Sequence, residues 1–133
     1  MRQGLLRARD VTLGVELGNR IRLAATPLGR MRGLLGCEGL GSGEGLWIRP
    51  TNSIHMFFMR FPIDALFLTR DLGVVRVVRD LAPWRMVGPV WSAWSVLELP
   101  AGTLARAGCA IGDQIDIRQA AGIRGTTEGE SET

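Results

Sequence analysis

Residues 53–68 constrain the fold more than any other part of the chain. The stretch is almost entirely apolar, but it also carries the only histidine, an arginine and an aspartate. Pro62 divides it, and because proline cannot donate a hydrogen bond to a sheet ladder, it marks a corner or an edge. The stretch therefore predicts two apolar strands, at about 54–60 and 63–69.

Upstream of this stretch the sequence predicts a hairpin and a helix. Residues 5–24 alternate apolar with polar or small residues, as hairpin strands do. Gly18–Asn19 is the expected turn, because both residue types tolerate positive φ. A helix is expected at about residues 27–35, with Thr26 as its N-cap and Pro27 at its first position.

The rest of the chain predicts further short strands separated by glycine- and proline-bearing turns. They are expected at about 45–49, 74–81, 96–99 and 114–118, with a Pro- and Trp-rich loop at 82–94 and a helical turn at 101–107. The predicted fold class is mainly β: a compact β-barrel or sandwich of short, mostly antiparallel strands with one short α-helix. Residues 1–118 are expected to form a single globular domain, and residues 119–133 a disordered acidic C-terminal tail.

Composition and charge narrow the classes of partner and the compartment. All 16 basic residues are arginine, scattered from Arg2 to Arg124 without a run of three, so nucleic acid is not an expected partner. No apolar run is long enough for a membrane span and no signal peptide is visible, so a cytoplasmic location is predicted. The expected molecule is a monomer that binds a small molecule or a protein partner.

The two cysteines, Cys37 and Cys109, show no metal-binding spacing. A single histidine cannot complete a zinc site with them, so neither a metal nor a cofactor is expected. Free thiols are the expected state in a reducing compartment. Because no hydrolase, zinc-protease or dinucleotide motif is present in the sequence, no residue is assigned a catalytic role.

Five residues form the predicted ligand-binding set: His55, Arg60, Asp64, Trp84 and Glu98. Arg60 and Asp64 flank the proline corner, where a chain reversal allows an ion pair, and a structural role for that pair is favoured over ligand binding. In a regular strand, His55 and Arg60 face opposite sides, which argues against their acting together. Glu98 lies between two leucines and faces either solvent or a cleft.

Three tryptophans, Trp84, Trp91 and Trp94, lie in one loop beside Arg85. Aromatic rings in a loop can form a stacking platform for sugars or bases. They can equally form a lid over the open end of a barrel. Both alternatives make this loop part of the candidate site.

Four motifs, in the right order, make the sequence similar to the conserved bacterial and archaeal family known as domain of unknown function 192. They are Arg30–Gly36, His55–Asp64, Val96–Gly102 and Gly112–Asp113. The resemblance covers residues 5 to 118 and implies a compact, mostly β domain with one helix and no established activity. His55 stands where many members have tryptophan, and Arg60–Phe61 where they have Asn-Thr. In the last motif, Asp113 is expected to shape a turn through a side-chain hydrogen bond.

Three hypotheses about function follow. The leading one is a small ligand-binding β module with a cleft lined by Arg60, Asp64, Glu98 and the tryptophan loop. One alternative is an acid/base enzyme, a hydrolase or isomerase, that uses His55 with Asp64 or Glu98. The other is an interaction or envelope-associated module that recognises another chain through its apolar loop, and an exposed tryptophan patch would favour it.

Overall fold

The structure, a computed structural model, describes residues 4–24 and 39–120 of the chain. Within these ranges it contains nine strands and one short helix. The strands are β1 (Leu6–Asp10), β2 (Val15–Ala24), β3 (Glu44–Ile48), β4 (Ile54–His55), β5 (Ile63–Leu68), β6 (Val74–Leu81), β7 (Met86–Val87), β8 (Ser95–Pro100) and β9 (Ile115–Gln119), and the helix is α1 (Thr103–Ala107). The helix predicted at about 27–35 lies outside the described residues. So does the tail predicted for residues 119–133, except for its first two residues, of which Gln119 is the last residue of β9.

Seven strands form one sheet in the order β6-β5-β8-β3-β2-β1-β9, and β4 pairs with β7 in a separate two-stranded sheet. The β2–β3 pairing is parallel, and the other ladders between described strands are antiparallel. The large sheet curls into a half-barrel, so the mainly β fold class is confirmed. Helix α1 confirms the helical turn expected at 101–107. No helix in the described ranges has the length and apolar character needed to cross a membrane.

Strand β5 lies between β6 and β8, and all six of its residues are buried. Because side chains alternate along a strand, β5 contributes to two apolar clusters, one on each face of the sheet. Leu66 belongs to the cluster that contains Leu104 of α1, and we call this face the helix side. Phe67 belongs to the cluster that contains Met56 and Met59, which follow β4, and we call this face the β4 side.

The first hairpin turns earlier than predicted. Strand β1 ends at Asp10, so the turn occupies residues 11–14, and the expectation of a turn at Gly18–Asn19 is wrong. An Asp10 carboxylate oxygen accepts the Leu13 N–H at 3.1 Å, and Gly14 takes a φ of 72°, which together stabilise a tight turn. Gly18–Asn19 instead lies within β2, next to an irregularity in its register with β1.

The apolar stretch forms less strand than predicted. The second predicted strand is confirmed as β5, but the first ends at His55. At Met56 the backbone turns to another partner: its N–H donates to the Arg85 carbonyl at 2.7 Å, and its carbonyl accepts the Trp84 N–H at 2.7 Å. These two hydrogen bonds end the strand alternation that was expected for residues 54–60.

Candidate functional site

Four aromatic rings form a connected series of contacts, and we call this group the aromatic surface: His55, Phe57, Trp84 and Phe58. The His55 and Phe57 ring centroids are 4.8 Å apart at an interplanar angle of 29°. The Trp84 centroid lies 6.1 Å from that of Phe57 and 4.8 Å from that of Phe58. The Phe57 N–H donates to His55 Nδ1 at 3.3 Å, which helps to fix the imidazole. Phe58 is 63% exposed and Trp84 58%, so large apolar rings remain in contact with water.

The backbone beneath these rings is strained. Phe58 has a φ of 68° and Trp84 a φ of 71°, in the left-handed region. A residue with a Cβ atom occupies that region at a cost of about 1–2 kcal/mol, and a bulky residue there is an outlier. The Met56 backbone hydrogen bonds hold the two segments together and keep this conformation in place. Strain of this kind clusters at functional sites, where it orients side chains.

Apolar and cationic side chains border the aromatic surface. Met86 pairs with His55 across the two-stranded sheet and is 62% exposed. Arg60 and Arg85, close in the chain to the ring-bearing residues, are also exposed. Exposed aromatic, methionine and arginine side chains are the types that are enriched in protein interfaces. Of the predicted site residues, this part of the molecule therefore contains His55 and Trp84, with Arg60 on an adjoining exposed turn.

Asp64 is completely buried and accepts two backbone hydrogen bonds. Its Oδ1 accepts the Asp80 N–H at 2.9 Å, and its Oδ2 accepts the Leu104 N–H at 2.9 Å. The second bond caps α1 from a distant strand, because the N-cap residue, Gly102, has no side chain to do so. The ion pair expected between Arg60 and Asp64 is not formed in the structure, since Arg60 is exposed while Asp64 is enclosed.

Glu98 is also completely buried, but on the other face of the sheet. It pairs with Leu46 and Ala65, which belong to the β4-side cluster. Asp64 pairs with Leu99, which belongs to the helix-side cluster. Paired residues in a ladder share a face, so the two carboxylates point to opposite sides. The structure does not bring them into one cleft, and the solvent-facing alternative for Glu98 is wrong.

The acid/base hypothesis requires His55 to meet one of these carboxylates. The structure places the imidazole in the aromatic surface, stacked on Phe57. The Asp64 carboxylate is on the helix side, where both of its oxygens accept main-chain hydrogen bonds. Glu98 shares the β4 side with the residues that follow His55, but it is fully enclosed. Among the described residues, the acid/base hypothesis therefore depends on Glu98 and not on Asp64, whose two oxygens are already occupied by main-chain N–H groups.

The three tryptophans of the predicted loop do not form a single platform. Trp84 belongs to the aromatic surface, whereas Trp94 packs edge to face on Trp47 with centroids 6.4 Å apart. The Arg70 guanidinium lies 5.4 Å from the Trp94 ring, a cation–π arrangement. Trp91 is 83% exposed and serves as an exposed tryptophan for comparison with Trp84.

The sequence analysis missed Phe57, Phe58 and Met86 as site residues. All three lie in apolar segments, and the two phenylalanines fall where a strand was expected. One feature of the sequence could have indicated the two phenylalanines: the spacing of Met56 and Met59, both of which are buried. A separation of three places them on one side of a turn, not of a strand, and so leaves the residues between them outside.

The fold and the site together define a small β domain with a curled sheet, a capped short helix and an exposed ring cluster. The chain matches the sequence profile of the DUF192 family, described as Uncharacterized ACR, over residues 9–117. It belongs to this family, which confirms the resemblance found in its motifs.

Curated relatives and a solved structure agree with this assignment. A UPF0127 protein from Thermococcus sibiricus is 34% identical over 110 residues, which cover 79% of this chain and 70% of the relative. A UPF0127 protein from Pyrococcus furiosus is 31% identical over 110 residues, which cover 80% and 94% of the two chains. A protein of unknown function from Novosphingobium aromaticivorans has a similar fold, with a TM-score of 0.70 and 24% identity, over 84% of this chain and 82% of its own.

Proposed function

We propose that the protein is a protein-binding module and that its aromatic surface recognises a partner chain. The observation that carries this proposal is the combination of strain and exposure at Phe58 and Trp84. Neither ring is buried well enough to offset the cost of the left-handed backbone by core packing. Burial of the rings in a complex would provide that compensation.

The arrangement of the rings supports a protein partner over a flat ligand. A sugar or base stacks on an open ring face. In the aromatic surface, His55 is stacked on Phe57, and Trp84 lies at a tilt 6.1 Å from it. The rings thus offer edges and partial faces to solvent, which suits insertion into an apolar groove. Aromatic anchors of this type supply much of the binding energy at protein interfaces.

The charges nearby indicate the chemistry of the partner. Arg60 and Arg85 are exposed next to the ring-bearing segments, and the chain carries a formal net charge of +3. Charge complementarity across an interface steers association and fixes orientation. The partner surface is therefore an apolar groove bordered by acidic side chains.

Site-specific photo-crosslinking in the producing cell tests this function. The photoreactive residue p-benzoylphenylalanine replaces Phe58 in one variant and Trp91 in a matched control. Trp91 is an aromatic side chain outside the aromatic surface and is more exposed than Phe58, so it reports random encounter at least as well. The Phe58 position is expected to yield one dominant heterologous adduct, identified by mass spectrometry. The Trp91 position is expected to yield none of it.

Two further outcomes are informative. The same adduct from both positions, or none from Phe58 in a folded variant, contradicts recognition by the aromatic surface. A homodimeric adduct from Phe58 assigns the surface to self-association and overturns the heterologous partner. The variant Arg60→Glu then distinguishes a specific adduct from non-specific crosslinking. Reversal of a charge that contacts acidic side chains of the partner is expected to lower the yield of a specific adduct only.

A further inference from the structure

A second group of chemically active side chains lies away from the aromatic surface. Asp10 is the last residue of β1, Cys109 follows α1, and Asp113 precedes β9. The antiparallel pairing of β1 with β9 aligns Asp10 with Ile115 and thereby draws the three residues together. All three are buried: Asp10 is 0%, Cys109 2% and Asp113 8% exposed. We call them the Asp–Cys–Asp cluster.

The donor atoms of this cluster lie close together. One carboxylate oxygen of Asp10, the Sγ of Cys109 and one carboxylate oxygen of Asp113 are all within 4.8 Å of one another. Main-chain hydrogen bonds orient the two carboxylates. The Leu13 N–H donates to Asp10 Oδ1 at 3.1 Å, and the Ala110 N–H donates to Asp113 Oδ2 at 3.1 Å. The latter bond also confirms the turn-shaping role expected of Asp113.

An orphaned oxygen points to a missing ligand. Asp10 Oδ2 is fully enclosed, and no N–H group of the described residues donates to it. The side chains that interact with the Asp10 carboxyl are the other two of the cluster, Cys109 and Asp113. Because the turn amide occupies Oδ1, Oδ2 is the oxygen of Asp10 that remains available to the cluster. An enclosed carboxylate oxygen beside a second carboxylate is costly unless a proton or a cation neutralises it.

The surroundings of these side chains disfavour their charged forms when no cation is bound. Burial and then the adjacent Asp113 carboxyl raise the pKa of Asp10. Burial and then the Asp10 carboxyl raise the pKa of the Cys109 thiol to about 12. A bound cation would interact with the enclosed Asp10 oxygen and would stabilise the deprotonated form of Cys109, which is the form that binds a metal.

We infer that the Asp–Cys–Asp cluster is a binding site for a divalent transition-metal cation of the zinc type. Two carboxylates and one thiolate are the oxygen and sulfur donors that Zn²⁺ accepts, and three protein ligands leave one coordination position open. With bonds of about 2.0–2.3 Å, tetrahedral donors stand about 3.3–3.8 Å apart. The donor atoms, all within 4.8 Å of one another, reach that geometry by a contraction of at most about 1.5 Å.

The surroundings of the sulfur suit such a site. A surface depression lined by Val77, Arg79, Cys109, Ala110 and Ile111 opens next to the cysteine of the cluster. An opening beside one ligand is the side from which a cation would enter the site. The Arg79 guanidinium, 3.5 Å from the Cys109 carbonyl oxygen, lies near the excess negative charge that three ionised ligands would carry. The sequence could not reveal this site, because its ligands come from opposite ends of the chain.

Cobalt titration of the full chain tests the inference. Co²⁺ is the probe, because a thiolate ligand gives a cobalt charge-transfer absorption that carboxylates do not give. The chain offers a matched control, since Cys37 is its other thiol. The wild type and Cys37→Ser are expected to develop the band and saturate with one Co²⁺ per chain. Cys109→Ser is expected to lose the band, and Asp113→Asn to weaken Co²⁺ binding by at least about tenfold.

The result that would overturn the site is a folded wild-type protein that shows no charge-transfer band, or a band that disappears in Cys37→Ser and persists in Cys109→Ser. Asp116→Asn changes a carboxylate of β9 that does not belong to the cluster. This variant is expected to leave the titration unchanged. A second measurement tests the site without any aspartate variant. Zn²⁺ is expected to raise the melting temperature of the wild type and not that of Cys109→Ser, and an equal rise in both would contradict the inference.

Discussion

The sheet around Asp64 buries a charged side chain, whereas the aromatic surface exposes apolar side chains. Asp64 is a charged residue that is completely buried, yet both oxygens accept main-chain hydrogen bonds from Asp80 and Leu104. Phe58 and Trp84 are apolar residues that are mostly exposed, on a backbone that strains to present them. The first region satisfies its buried polar groups, whereas the second exposes apolar rings on a strained backbone, which makes the second the better candidate for function.

The largest expected effect is at Asp64. Asp64→Ala leaves the buried Leu104 N–H and the partly buried Asp80 N–H without acceptors, and it removes the cap of α1. A loss of about 2–5 kcal/mol in the free energy of unfolding is expected, since charge-assisted hydrogen bonds contribute about 1.5–3 kcal/mol each. Urea unfolding measures it, with the exposed Asp71→Asn as control. A change below about 1 kcal/mol would contradict the structural role assigned to Asp64.

The second effect concerns the buried Cys109 thiol at alkaline pH. Its pKa rises from 9.0 to about 12 on folding, because burial and the nearby Asp10 carboxyl disfavour the thiolate. A raised pKa stabilises the folded state fully below pH 9, and that contribution declines as the pH rises from about 9 to 12. The loss amounts to at most about 4 kcal/mol, from three pKa units.

Unfolding free energies of Cys37→Ser measured between pH 9 and 12 check this expectation. The chain contains neither lysine nor tyrosine, so few other side chains titrate in that range. In the double variant Cys37→Ser/Cys109→Ala, the decline is expected to flatten. An equal decline in both proteins would show that the Cys109 thiol ionises in the folded state at little cost in free energy. That result would contradict the raised pKa of this thiol.

A smaller effect, of opposite sign, is expected in the aromatic surface. Glycine occupies positive φ freely, so Phe58→Gly relieves the strain at a residue that is 63% exposed. The free energy of unfolding is expected to stay unchanged or to rise by up to about 1 kcal/mol. Chemical denaturation measures it, with Phe58→Ala as a comparison that keeps the strain. A loss of more than about 2 kcal/mol in Phe58→Gly would mark the ring as a packing residue.

The smallest effect is expected at Trp91. This side chain is 83% exposed and lies outside the aromatic surface. Trp91→Ala should change the free energy of unfolding by no more than about 0.5 kcal/mol and leave partner capture intact. Loss of capture in this variant would extend the recognition surface into the loop after β7.

Much of the fold could be predicted because its signals are local. The valine-rich run in residues 74–81 predicted β6 with the correct bounds, and the helical turn expected at 101–107 contains α1. The hairpin turn was predicted at the wrong place because Gly18–Asn19 is a well-known turn sequence. The actual turn depends on Asp10 and Gly14, which are four residues apart and form a weaker sequence pattern. An aspartate and a following glycine can set a turn, as they do here.

The candidate site was less accessible to sequence reasoning because it depends on non-local contacts. Asp64 caps a helix that begins some forty residues later, as its bond to Leu104 shows. The orientation of Phe58 depends on backbone bonds between Met56 and the turn at 84–85. Trp84 was identified as a candidate site residue, but its ring partners could not be, since no local pattern reports a positive φ at phenylalanine.

The most direct test of the account is photo-crosslinking from position 57 in two backgrounds. Phe57 lies between the rings of His55 and Trp84 and is 39% exposed, so p-benzoylphenylalanine there samples the centre of the aromatic surface. With Trp84 present, the account predicts the same partner adduct that position 58 gives. With Trp84→Gly, it predicts a folded protein of equal or higher stability whose adduct is lost. An undiminished adduct in Trp84→Gly would contradict the claim that these strained, exposed rings recognise the partner.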